Sequence, residues 1–78
     1  MKIELRLYAS LSVTRPETNG GSLVVDIKEG TSIWELLEQF KVPADSVKII
    51  FLNGVHAQGD EVLKEGDRIG VFPPIAGG

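Results

Sequence analysis

Polar and apolar positions alternate from the first residues. Ile3, Leu5 and Leu7 are apolar while Lys2, Glu4 and Arg6 are charged, the period-two pattern of a strand with one buried and one wet face. By parity Tyr8 falls on the wet side. Residues 9–21 carry Ser, Thr, Pro, Asn and the pair Gly20-Gly21, and read as a loop. Leu23, Val25 and Ile27 resume the alternation, so a second strand is expected, paired with the first as an antiparallel hairpin. The period then changes. Ser32 followed by Glu35 has the form of a capping box, with Thr31 as a competing N-cap. Ile33, Leu36, Leu37 and Phe40 repeat at helical spacing along one face. Trp34 lies off that stripe and is expected to be a partly exposed packing residue. Pro43 stops the helix.

Residues 47–52, VKIIFL, form a strand too apolar to sort cleanly into faces. Ile50 and Leu52 are assigned inward, which leaves Ile49 and Phe51 outward. Asn53-Gly54 is a tight-turn signal, and a short strand over 55–58 follows. Val62 and Leu63 are expected to pack as a single turn. The last strand covers residues 68–72, with Ile69 and Val71 inward and Arg68, Gly70 and Phe72 outward. The order is β, β, α, β, short β, β. One helix of about two to three turns has to cover the sheet, because nothing else buries both apolar faces. A right-handed crossover then returns the final strand parallel to the first. The expectation is an α+β chain of β-grasp form, in which a mixed four- to five-stranded sheet grasps one main helix over residues 1–73. A flexible, extended tail occupies residues 74–78.

Composition narrows the function. A chain of 78 residues is one domain, too small for a deep, enclosed active site. Its 8 Lys and Arg against 11 Asp and Glu give a net charge of −3, which argues against nucleic acid as a partner. The lack of cysteine excludes disulfides, iron–sulfur ligation, thiolate zinc sites and a cysteine nucleophile, and a single histidine offers no metal site. The first residues do not form a signal peptide, and no apolar run approaches the ~20 residues of a membrane span, so a cytoplasmic protein is expected.

The unusual chemistry is at the C-terminus. Pro73 and Pro74 cannot extend the last strand and fix the backbone so that the tail leaves the body stiffly. Ile75 is an apolar anchor, and Ala76, Gly77 and Gly78 have almost no side chains, so this end can enter a channel too narrow for a Cβ. The Gly78 carboxylate is an unhindered acyl group that ATP can adenylate. The chain has no phosphate-binding loop of its own, so a partner has to hold the nucleotide. Strand parity also places Tyr8 and Phe72 together on the face away from the helix, at the root of the tail. Phe51 joins them, with His56 nearby on the short strand, and the group reads as a docking patch.

Gly66-Asp67, a short strand, then Phe72-Pro73-Pro74-Ile75-Ala76-Gly77-Gly78 resemble the ending of molybdopterin synthase small subunits, which belong to the ubiquitin-like sulfur carriers. The resemblance covers the whole chain in length and element order. It implies that Gly78 is adenylated by a ubiquitin-activating-like adenylyltransferase and converted to a 1-glycyl thiocarboxylate with sulfur from a sulfurtransferase. It also implies that Pro73, Pro74, Ile75, Ala76 and Gly77 insert the tail into the large synthase subunit, in a heterotetramer, for molybdopterin (molybdenum or tungsten cofactor) synthesis. The carrier is then not catalytic alone and binds no cofactor stably. Tyr8 and Phe72 match positions that contact partners; His56 matches a position more often apolar. Other readings share the tail: a thiamine-type carrier, a ubiquitin-like protein modifier joined to lysines through Gly78, and an unmodified β-grasp interaction module.

Overall fold

The computed structural model describes residues 1–8 and 22–74. The loop read over 9–21 and the tail residues Ile75, Ala76, Gly77 and Gly78 lie outside the described residues. The alternation of the first residues becomes β1 (Lys2–Leu7), antiparallel to β2 (Ser22–Asp26) with Lys2 opposite Asp26 and Arg6 opposite Ser22. β2 begins and ends one residue earlier than the apolar pattern implied, but Ile27 stays buried and donates its N–H to the Met1 carbonyl at 2.8 Å. Helix α1 (Ile33–Gln39) follows, then a 3-10 turn at Ala44–Ser46 that the sequence did not signal. β3 (Ile49–Leu52), β4 (Val55–Ala57) and β5 (Arg68–Phe72) complete a five-stranded mixed sheet of order β2-β1-β5-β3-β4. β5 runs parallel beside β1, and β3 pairs antiparallel with both β5 and β4. This is the expected β-grasp.

The helix starts where its cap dictates. The Ser32 hydroxyl accepts from the Glu35 N–H at 3.3 Å, while the Glu35 carboxylate accepts from the Ser32 N–H at 2.9 Å. Thr31 does not compete, because its hydroxyl donates to the Lys28 carbonyl at 2.7 Å and closes the preceding turn. The helix ends in a Schellman motif, with Lys41 N–H to the Glu38 carbonyl and Val42 N–H to the Leu37 carbonyl. Lys41 has φ 58°, a left-handed conformation that glycine adopts more easily.

Val62 and Leu63 do not form the expected turn. Residues 59–63 pass alongside the helix start, where the Ile33 N–H donates to the Glu61 carbonyl and the Trp34 N–H to the Gly59 carbonyl. First-turn N–H groups have no partner within a helix, and this segment supplies one for each of these two while the Ser32 hydroxyl serves Glu35. Ser32 and Val62 form an isolated bridge, which leaves Val62 exposed and Leu63 buried. The core lies between the inner sheet face (Ile3, Leu5, Leu7, Ile50, Ile69, Val71) and Ile33, Leu36 and Leu37 of α1. Trp34 is half-buried against it, as its place off the stripe implied, and Phe40, the helix C-cap at the end of the stripe, is half-buried too rather than fully buried like Ile33, Leu36 and Leu37.

Candidate functional site

Register builds the site. Leu7 and Val71 are paired and point inward, so the next residues, Tyr8 and Phe72, point outward from adjacent strands. Their rings stack at 4.1 Å between centroids and 5° between planes. Phe72 also sits opposite Ile49 of β3, and Phe51, two residues on, meets the Phe72 ring edge-on at 5.8 Å. His56, paired with Phe51 across the β3–β4 hairpin, contacts Phe51 edge-on at 6.1 Å. The four residues singled out from the sequence therefore form one continuous patch. Tyr8, Phe51 and Phe72 are half-buried and His56 is exposed. Ring pairs of this kind are worth about 0.5–1.5 kcal/mol beyond area burial.

The patch lies where the chain leaves the sheet. The Phe72 carbonyl accepts from the Lys48 N–H at 2.8 Å, closing the ladder. Pro73, half-buried, and Pro74, exposed, follow directly. An extended run from Pro73 to Gly78 reaches at most ~20 Å.

Two features of the site escaped the sequence reading. Gly70 lies in the middle of β5, opposite Arg6 on one side and Phe51 on the other. A Cβ there would lie 3.2 Å from Cε2 of Tyr8, so the bare backbone lets the ring lean inward. A glycine inside an otherwise regular strand was the available signal. The second feature is a clamp beneath the start of β5. Buried Asp67 accepts from the Asn53 side-chain amide at 3.0 Å and from the Lys64 N–H at 2.8 Å. The Asn53 amide oxygen in turn accepts from the Arg68 N–H at 2.9 Å. Asn53 and Gly54 both have positive φ, the form of a two-residue hairpin turn. The clamp thus ties the β3–β4 turn to the strand that carries Phe72.

Two arginines and one carboxylate, Glu4, lie near the rings. Arg6 holds its guanidinium carbon 5.9 Å from the Tyr8 ring centroid. Exposed Arg68 lies on the same face. Asp26, at the opposite end of β1 from Tyr8, is held below the usual carboxylate range, first by the hydrogen bond and charge of the N-terminal ammonium and then by Lys2. Among the described residues no cluster of three His, Asp or Glu could hold a metal, and no helix is long and apolar enough to cross a membrane.

The fold has solved counterparts. SAMP1 from Haloferax volcanii superposes with a TM-score of 0.72 at 22% identity, covering 100% of both chains. A Pyrococcus furiosus protein described as molybdopterin converting factor, subunit 1, gives 0.66 at 26% identity, over 96% of this chain and 99% of that one. One chain of the complex of subunits 1 and 2 of the molybdopterin-converting factor from Helicobacter pylori 26695 gives 0.64 at 21% identity, over 100% of each chain. No curated protein sequence matches. The ThiS family model matches residues 12–78, a stretch that includes α1, β5 and the Gly-Gly end. With most of its length matched and the β-grasp sheet in place, the chain belongs to the ThiS family of ubiquitin-like sulfur carriers.

Proposed function

We propose that this protein is the sulfur-carrying small subunit of a molybdopterin synthase. The observation that carries the reading is the stacked Tyr8–Phe72 pair at the point where Pro73-Pro74 leads to Gly77-Gly78. A ubiquitin-activating-like adenylyltransferase binds the ring patch and receives the tail. The Gly78 carboxylate attacks the α-phosphorus of ATP, pyrophosphate leaves, and a poor acyl group becomes a reactive acyl adenylate. Sulfide-level sulfur delivered by a sulfurtransferase attacks the acyl carbon, a C–S bond forms as the C–O bond to AMP breaks, and a glycyl thiocarboxylate is left; where the donor offers persulfide sulfur, a thiol reductant cleaves the acyl disulfide that forms first. The loaded tail then enters the large synthase subunit and gives its sulfur to a pterin precursor. Contacts remote from the reacting carbon position it, so the carrier needs no catalytic group of its own. The Helicobacter pylori complex of subunits 1 and 2 supports a large-subunit partner for a chain of this fold.

The test is the intact mass of the C-terminal peptide after incubation with the activating enzyme, ATP and a sulfur donor. Exchange of one oxygen for sulfur on Gly78 is expected; an unchanged mass contradicts the proposal. The likeness to small archaeal modifier protein 1 favours a second reading, a ubiquitin-like modifier activated in the same way. Glycine remnants on lysines in digests of whole cells would support it, and free carrier as the only species would remove it.

A further inference from the structure

We propose that Arg6, Arg68 and the hollow over Gly70 form the recognition site for an acidic segment of the activating enzyme, one that carries carboxylates around an apolar side chain. The identity of the partner rests on the sulfur-carrier reading above; the chemistry of the segment rests on the geometry. Arg6 is opposite Gly70 and Arg68 opposite Glu4, so the two arginines stand on adjacent strands of the outer face, offset by one step along it. Both are exposed. Among the described residues, ion pairs involve only Asp26 with Lys2 and the N-terminal ammonium, so neither guanidinium is in one. Glu4 faces Arg68 across the ladder without closing a pair. In a chain of net charge −3, the surroundings of Gly70 therefore bring two arginines, Arg6 and Arg68, against one carboxylate, Glu4.

Guanidinium forks match carboxylates in a planar, two-bonded arrangement that ammonium groups do not reproduce. The Arg6 guanidinium carbon lies 5.9 Å from the Tyr8 ring centroid, within cation–π range, and is in no ion pair with the described residues. Gly70 leaves an open hollow of about 470 Å³ between the arginines and the rings of Tyr8, Phe51 and Phe72, and the Glu4 carboxylate also lines it, so an incoming carboxylate has to seat on the arginines and clear of Glu4. An apolar side chain seated there would touch the rings, while carboxylates on either side would meet Arg6 and Arg68. Arginines over aromatic rings also suit single-stranded nucleic acid, but the acidic chain repels a polyphosphate at longer range. A protein segment with a few carboxylates meets that repulsion least.

The experiment measures the Kd of the full-length chain for the ubiquitin-activating-like adenylyltransferase of the same genome, between about 50 and about 500 mM salt. The chains compared are wild type, the double variant Arg6→Glu/Arg68→Glu, and Arg6→Gln/Arg68→Gln. At low salt the charge reversal is expected to raise Kd by at least about tenfold, more than the neutral pair does, and to abolish the loss of affinity with salt that wild type shows. Equal Kd values, an unchanged salt slope, no binding by wild type, or displacement of the enzyme by a single-stranded oligonucleotide would each overturn the proposal. If the reversed variant does not fold, the glutamine pair carries the same comparison. If the enzyme binds with the expected charge dependence but the wild-type tail never gains sulfur, the recognition site stands and the sulfur-carrier reading falls.

Discussion

Two aromatic side chains in this molecule lie against a bare glycine, and they do different work. Trp34 is fixed over Gly59. A Cβ at that glycine would overlap the indole, at 2.1 Å from Nε1, and its φ of +112° suits no other residue well. The contact is locked from both sides, since the Trp34 N–H donates to the Gly59 carbonyl and the Gly59 N–H donates to the Glu61 carboxylate at 2.7 Å. Tyr8 leans over Gly70 more loosely, at 3.2 Å from the missing Cβ, with an ordinary strand backbone beneath it. Its ring stacks on Phe72 and stays half exposed. The first seam closes the helix start against the 59–63 segment and serves stability. The second shapes a surface and leaves it open. The difference lies in how many backbone constraints converge on the glycine, and it predicts that the two sites respond oppositely to substitution.

The largest effect should come from Gly59→Ala. Overlap with Trp34 and a strained φ are expected to lower stability by about 2–4 kcal/mol, measured by denaturant unfolding, with partner affinity per folded molecule unchanged. A loss of affinity in the folded fraction would blur the distinction between the two seams. Phe72→Ala should do the reverse, weakening partner binding by roughly 1–3 kcal/mol, the range of an interface anchor, with a smaller change in stability. A collapse of Tm with affinity retained would make Phe72 a core residue. Lys41→Gly touches neither seam. Relief of a left-handed lysine at the end of α1 should stabilise the fold by about 0.5–1 kcal/mol and leave binding as it was.

The smallest effect is pH-dependent and isolates the Trp34 seam. Hydrogen bonds from the Gln58 and Gly59 N–H groups hold the Glu61 carboxyl below its usual range. A carboxyl with a lowered folded-state pKa stabilises above its unfolded value and loses that contribution as the pH falls through the folded one. The stability difference between wild type and Glu61→Gln should therefore be full at neutral pH and shrink below about pH 4.5. A difference constant down to pH 3 would mean that the charge of Glu61 plays no part.

The same contrast explains what could be read in advance. The strands around Leu5 and Val71, the cap at Ser32 and the parity that brings Tyr8 beside Phe72 are set by neighbours in sequence or by one pairing choice. Local pattern suffices for them. The path of Val62, the left-handed Lys41 and the role of Gly59 depend on backbone groups of distant segments meeting the helix ends, which no local periodicity encodes. At the site, Tyr8 and Phe72 were legible because the parity of their strands is strict, whereas Phe51 sits in a run too apolar to sort by pattern alone. The stacking geometry and the bare floor at Gly70 required knowing that Arg6, Gly70 and Phe51 share one row across three strands. The clamp of Asp67 on Asn53 was hidden because an aspartate after a glycine reads equally well as a solvated turn.

The central claim is that the body only docks while the last residue carries the chemistry. The measurement that tests it most directly compares the full chain with one lacking Gly78, each incubated with activating enzyme, ATP and sulfur donor, alongside thermal unfolding of both. The account predicts that only the full chain gains sulfur and that the two melt together. Sulfur on the shortened chain, or a shortened chain that no longer folds, would contradict it.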